Sequence, residues 1–180
     1  TIAIEAGLIA CRRAPGLMRT FEAETWPVLD PAVWQRARQQ AVDEAIAGAR
    51  FSIVGSDIDP ACVALSMANA RKAGVGHTVW FEQADAAKRD YSQGGVLFAN
   101  PPYGERLLDI ERAEQLYAAF GKAVSASPMK QYVLSSDAQF EHFYGKKADK
   151  RRKLYNGMIK CDLYMYFKHS PRPAAKTDVG

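Results

Sequence analysis

The sequence predicts an α/β fold, a doubly wound parallel sheet covered by helices on both faces and finished by an antiparallel hairpin. Three observations carry this. Short β-rich runs alternate with helical stretches of about a dozen residues along the chain. Three of those runs end in a carboxylate or an amide, at Asp57, Asp85 and Asn100, and the carboxyl ends of strands are where such sheets bind ligands. Near the end, Asn156-Gly157 separates two β-rich runs, a strong hairpin signal.

The elements follow in order. Residues 1–12 set Ile2, Ile4, Leu8 and Ile9 among small residues, which suits a buried helix. "APGLMRTFEAETWP" reads as a loop with aromatic anchors. Asp30-Pro31 is an N-cap followed by proline in the first turn, and its helix should run to about Ala47. "FSIVGSD" (51–57) is a strand; Asp59-Pro60 repeats the cap signature, and Gly74 closes that helix. "HTVWFEQAD" (77–85), "GGVLFAN" (94–100) and "QYVLSSD" (131–137) are further strands, with a helix near 111–126 between the last two. No internal repeat and no second domain are visible. The expectation is one domain over 1–168 and a mobile tail over 169–180, which has little to bury.

Composition narrows the function classes. The chain has 180 residues, 48% hydrophobic and 24% charged, enough for one sizeable core without metals or disulfides. Cys11, Cys62 and Cys161 are an odd number without ligand spacing, so they read as reduced, core-type thiols of an intracellular, cytoplasmic protein. No metal site is expected. No apolar run approaches the roughly 20 residues of a membrane span, and "TIAIEAGLIAC" lacks the basic leader of a signal peptide. The net charge of +4 is unevenly placed, because "KKADKRRK" holds Lys146, Lys147, Lys150, Arg151, Arg152 and Lys153 within eight positions. Such a run is ordinarily a solvated surface; its alternative is a contact with nucleic-acid phosphates.

The polar strand ends carry the chemistry. An acid at a strand terminus can accept from both hydroxyls of a ribose, the role assigned to Asp57. Asp85 could accept from an exocyclic amine on an adenine. Asp59 is the better cap for the following helix, which leaves Asp57 less explained by structure alone. In "FANPPYGER", Asn100 offers one carbonyl acceptor and the backbone carbonyl between Pro101 and Pro102 a second. Two acceptors can hold both hydrogens of an exocyclic amine and leave its lone pair aimed at an electrophile. The prolines stiffen that backbone, and Tyr103 offers a face for a base to stack on. A loop that merely turns at two prolines needs neither the asparagine before them nor the aromatic after.

"NPPYGER" resembles the catalytic motif of amino-group methyltransferases that use S-adenosylmethionine. Together with "TIAIEAGLIACRRAPGLMRTFEAETW" and "KLYNGMIKCDLYMYFK", it is similar to the catalytic domain of the THUMP-associated ribosomal RNA guanine-N2 methyltransferases, often labelled N6-adenine-specific DNA methylases. The resemblance reaches about Lys168 and implies a Rossmann-like methyltransferase sheet. It implies S-adenosylmethionine as cofactor, with Thr1, Asp57, Ile58, Asp85, Ala86 and Asn100 around it. The amine of the target would sit at Asn100, Pro101, Pro102 and Tyr103. Ribosomal RNA is the implied partner, on the basic run. In that family a central strand and a glycine-rich loop precede the first helix; here Thr1 opens that helix, so the first strand and its loop are expected to be missing. No GxG-type loop lies before Asp57.

The reading is therefore methyl transfer to guanine N2 in 23S ribosomal RNA, with adenine N6 in DNA as the rival substrate. A non-catalytic RNA-binding fragment is the alternative outside the enzyme class. The isolated chain is expected to be inactive.

Overall fold

The computed structural model describes residues 1–46, 52–103 and 107–167. The expected tail over 169–180 and the Gly104-Glu105-Arg106 extension of the asparagine motif lie outside these. The chain divides into two compact units, Thr1–Asp85 and Ala86–Gly180.

The first unit holds α1 (Ile2–Ala10), a 3-10 turn (Glu22–Thr25), α2 (Pro31–Asp43), β1 (Ile53–Asp57), α3 (Pro60–Lys72) and β2 (Val79–Gln83). Both aspartate-proline signatures act as expected. Asp30 Oδ1 accepts from the amide of Ala32 at 2.9 Å, and Asp59 Oδ1 from that of Ala61 at 2.8 Å. Proline in each first turn forgoes an amide that would have no helical partner. β1 and β2 run parallel, with Ile53 opposite Val79 and Asp57 opposite Gln83. Cys11, Ala70, Val75 and Val79 form the core of this unit, packed by Ile4, Leu8, Ile53 and Phe81. α1 is less buried than its composition suggests: Ile9 faces outward, 78% exposed, and the helix packs through Ala3, Ile4, Gly7 and Leu8. Cys62 departs from the expectation of a core thiol. It lies on the exposed side of α3, its Sγ directed at Asp59 Oδ2.

Arg38 organises the loop before α2. Its guanidinium donates to the carbonyls of Leu17 (3.0 Å) and Arg19 (2.6 Å) and pairs with Glu24 Oε1 at 2.5 Å. Glu24 also accepts from the Phe21 amide. That bond, then the one from Arg38, holds its carboxyl below the usual range.

The second unit holds β3 (Val96–Ala99), α4 (Leu107–Val124), β4 (Lys130–Ser135), α5 (Phe140–Tyr144), β5 (Lys150–Asn156) and β6 (Ile159–Tyr166). Strand order is β3-β4-β6-β5, parallel for the first pair and antiparallel for the others. Among the described residues β1 pairs with β2 alone and β3 with β4 alone, so each keeps one edge without a ladder. α4 buries Ala113, Tyr117, Phe120, Gly121 and Val124, a spacing that lines one helical face. That face meets Val133, Phe140, Tyr144, Tyr164 and Tyr166.

This core is rich in tyrosine, and each buried hydroxyl has a partner, as it must where water is excluded. Tyr144 donates to Gln131 Oε1, Tyr164 to the Asp137 carbonyl and Tyr166 to the Lys146 carbonyl. The opposite side of the sheet carries Val96, Phe98, Tyr132, Leu134, Leu163 and Met165, with Phe98 and Tyr132 stacked at 4.9 Å.

The hairpin turns one residue later than expected. Asn156 still pairs with Ile159, so the turn residues are Gly157 and Met158. Gly157 has φ +61°, the conformation a two-residue hairpin turn needs at its first position and which glycine adopts without strain. Asn156 is thereby the last residue of a strand, and its side chain is free of turn duty.

Candidate active site

In the first unit, Asp57 is an exposed residue at the carboxyl end of β1. Its Oδ1 accepts from the Asp59 amide at 3.0 Å, which fixes the carboxylate and leaves Oδ2 without a partner among the described residues. The next residue, Ile58, is 66% exposed, an apolar side chain beside an acceptor. Gln83 donates to the Ile58 carbonyl and the Ala84 amide to that of Asp57, so the loops after β1 and β2 brace each other. Asp85 is half-buried two residues beyond β2. Thr1 precedes α1, exposed, and makes no side-chain capping bond. The parallel pairing thus brings the ends of β1 and β2 together, with Asp57 and Ile58 at the end of the first.

In the second unit, Ala86 is half-buried and its carbonyl accepts from the Tyr91 hydroxyl. Asn100 directly follows β3 and is exposed. The Tyr103 hydroxyl donates to Asn100 Oδ1 at 2.5 Å. Asn156, at the end of β5, donates through Nδ2 to the Tyr103 oxygen at 3.4 Å. A second tether lies on the other side of the motif. The hydroxyl of Tyr117, from α4, donates to the Pro102 carbonyl at 2.8 Å, and Ser135 Oγ reaches the Tyr117 oxygen at 3.4 Å. Ser135 in turn accepts from the Asp137 amide. Burial pushes the phenols of both Tyr103 and Tyr117 up, so they stay protonated at neutral pH and remain donors.

Asn100–Tyr103 is therefore a braced segment. Pro102 has spent its carbonyl on Tyr117; the Pro101 carbonyl receives no bond from the described residues. Asn100 Oδ1 accepts one bond and has a second lone pair. Asn100 Oδ1 and the Pro101 carbonyl are thus two acceptors, one residue apart, with capacity left by the described residues. Sequence reasoning missed Tyr117, Ser135 and Asn156. The first two look like ordinary helix and strand residues, and the Asn-Gly pair read as a turn.

The basic run divides between the connection after α5, with Lys146 and Lys147, and the start of β5. Lys150–Lys153 belong to β5, the edge of the sheet, where charge discourages pairing with another chain. Arg151 is committed: it forms an ion pair with Glu141 and lies 5.1 Å from the Tyr164 ring centroid. The Lys146 ammonium sits 5.7 Å from the Tyr166 ring centroid. Lys147, Lys150, Arg152 and Lys153 are exposed. Among the described residues, no group of three or more His, Cys, Asp or Glu side chains could hold a metal ion, and no helix is long and apolar enough to cross a membrane.

The model of the UPF0020 family, an RMKL-like methyltransferase domain, matches residues 1–165. YpsC of Bacillus subtilis, named as a candidate RNA methyltransferase, is 38% identical over 182 residues, covering 99% of this chain and 47% of YpsC. The ribosomal RNA large subunit methyltransferase K/L of Shewanella amazonensis is 38% identical over 177 residues, covering 94% of this chain and 25% of that protein. Among solved structures, SMU.472, a candidate methyltransferase complexed with SAH, superposes with a TM-score of 0.87 at 36% identity, over 93% of this chain and 45% of that one. The chain spans about half the length of YpsC and a quarter of the K/L protein.

Proposed function

This chain belongs to the UPF0020 family of RMKL-like methyltransferase domains, and we propose that it serves methyl transfer from S-adenosylmethionine to an exocyclic amine of a nucleobase, guanine N2 in 23S ribosomal RNA. The observation that carries this reading is the braced Asn100–Tyr103 segment, with the Asn100 and Pro101 carbonyls left to receive two N–H groups.

The chain's residues fit the nucleoside half of the cofactor. Asp57 presents an uncommitted carboxylate oxygen for ribose hydroxyls, and exposed Ile58 beside it gives an adenine an apolar surface. Asp85 is assigned to the adenine amine, with Ala86 next to it and Thr1 completing the set. When bound, the cofactor supplies a methyl group made electrophilic by its sulfonium. Asn100 and Pro101 hold the amine so that its lone pair points outward, and Tyr103 supports the base. Positioning of this kind replaces a strong base, because the extra proton can leave the nitrogen for water after attack. RNA as the substrate draws support from the names of YpsC and the K/L protein and from the exposed cations of β5.

The test is nucleoside mass spectrometry after incubating the complete gene product that carries these residues with S-adenosylmethionine and unmodified 23S RNA, and in parallel with DNA. N2-methylguanosine is expected in the RNA. Asn100→Ala should cut the rate at least about a hundredfold, the cost of one lost positioned contact, with cofactor affinity little changed. Methylation confined to adenine N6 in DNA would move the assignment to the rival substrate. Cofactor binding without methylation of any nucleobase would refute it.

A further inference from the structure

We propose that Asn156, on the β5–β6 hairpin, is a positioning residue that sets which way the Asn100 carboxamide faces, acting through the Tyr103 hydroxyl. This rests on the methyl-transfer reading of Asn100.

A carboxamide is nearly symmetric in shape, and rotation by half a turn exchanges its oxygen for its NH2. The two orientations are opposite in chemistry. Oxygen toward the target amine accepts a hydrogen; NH2 in that place sets donor against donor. Asn100 is exposed, so water satisfies either orientation and selects neither. The selection must come from a neighbour that donates.

Tyr103 is that neighbour, yet a phenol hydroxyl can donate or accept. What decides is its other partner. In the structure the Asn156 carboxamide turns its NH2, which can only donate, to the Tyr103 oxygen at 3.4 Å. The phenol hydrogen is thereby directed away from Asn156 and onto Asn100 Oδ1, 2.5 Å distant. Hydrogen bonds in such a chain reinforce one another, so a long first link still biases a short second one. The polarity runs in one direction, from Asn156 to Tyr103 to Asn100. Burial, the largest cause, pushes the Tyr103 phenol up and keeps it neutral, while the bond from Asn156 pulls it back down. The hairpin register places Asn156 in the last strand pair, where its side chain shares a face with Leu154 and, across the ladder, Cys161. Tyr103 lies against the same face, beside the Cys161 thiol.

A chain with a direction can be reversed. Asn156→Asp is nearly isosteric but presents a carboxylate, which accepts the phenol hydrogen. The Tyr103 oxygen then becomes an acceptor, and Asn100 turns its NH2 toward it. The Asn100 oxygen loses the donor that held it in place. Asn156→Ala removes the bias without reversing it.

The experiment has two arms. In the first, the chain carries ¹³Cζ-labelled tyrosine and Tyr103 is titrated by NMR, its signal assigned with Tyr103→Phe. Tyr103 should ionise at higher pH in Asn156→Ala and at higher pH still in Asn156→Asp. In the second, methyl transfer by the complete gene product is measured at saturating RNA and cofactor. The expected kcat falls roughly tenfold for Asn156→Ala and roughly a hundredfold for Asn156→Asp, with KM for the cofactor changed less than about twofold. In a Tyr103→Phe background neither change at Asn156 should matter further, since the link is gone.

An effect of Asn156→Asp that persists in that background would be a charge or folding effect and would overturn the proposal. So would a Tyr103 titration indifferent to Asn156, or an Asn156→Asp variant with normal kcat. Wild-type protein that methylates no nucleobase, with the Tyr103 titration coupled to Asn156, would instead refute the methyl-transfer reading and leave the directed hydrogen-bond chain standing.

Discussion

Replacing Tyr117 with phenylalanine removes one oxygen from the centre of the second unit. The ring is fully buried and packs edge-on against Phe140 at 5.0 Å, contacts that phenylalanine keeps. Two hydrogen bonds are lost. The bond to the Pro102 carbonyl, at 2.8 Å, is worth about 1 kcal/mol net. Pro102 is exposed, so its carbonyl rehydrates and carries no orphan penalty. Ser135 is 1% exposed, and its hydroxyl hydrogen loses its acceptor. That contact is long, so we take the low end of the range for an unsatisfied buried group, about 1 kcal/mol. The sum is a destabilisation of about 1–2 kcal/mol, or a urea midpoint lower by roughly 0.5–1 M. The chain offers a clean probe. All eight tyrosines lie in the second unit and all three tryptophans in the first, so near-ultraviolet circular dichroism follows the units separately. Tyrosine signals should shift and tryptophan signals should not. Because Pro102 is released, methyl transfer should also fall about tenfold. A variant with unchanged midpoint and unchanged rate would refute the tether; a loss above about 4 kcal/mol would mean the ring repacks.

Three further outcomes are expected. Gly121→Ala would gain about 1 kcal/mol of helix propensity, but its Cβ would lie 2.1 Å from the Tyr144 carbonyl oxygen, forcing α4 and α5 apart, so the variant should be less stable by about 1–3 kcal/mol in a urea melt; a stabilised variant would refute that close approach. Burial, the largest cause in each case, pushes the phenols of Tyr144 and Tyr166 up from their usual range and that of Tyr164 up to about 12. A raised phenol favours the folded state fully below pH 10 and loses that contribution as pH climbs toward 12. The tyrosine-detected urea midpoint should therefore fall above pH 10, and a flat profile to pH 12 would contradict the burial. On the basic edge, serine at Lys150 and Arg152 should lower the log–log salt slope of RNA binding by roughly 0.7–0.9 per lost phosphate contact, whereas Arg151→Ser should leave the slope unchanged because Glu141 already holds Arg151. The reverse ranking in a filter-binding assay would dismiss the exposed cations as a contact surface.

Short-range chemistry was legible along the chain before any fold was known. Asp30 and Asp59 cap amides two residues away, so their helices begin where the aspartate-proline pairs stand. The alternation of strands and helices and the polar ends at Asp57 and Asn100 could be read for the same reason. Each depends on neighbours within a turn or a strand. α5 was not legible: five residues are too few to nucleate a helix alone, and Phe140 and Tyr144 hold it by packing on α4 and β6.

The support of the site came from long-range packing. Tyr117 reaches Pro102 across 15 residues, Ser135 reaches Tyr117 across 18, and Asn156 reaches Tyr103 across 53. Nothing local in sequence encodes those distances; they follow from the order β3-β4-β6-β5, which brings the ends of β3, β4 and β5 to one end of the sheet. A shift of one residue in the hairpin turn had the same origin. Asn-Gly can form the turn by itself, but the ladder of β5 against β6 runs through Asn156, and a strand side chain alternates faces with every residue. The register of the sheet, and not the dipeptide, put Asn156 beside Tyr103.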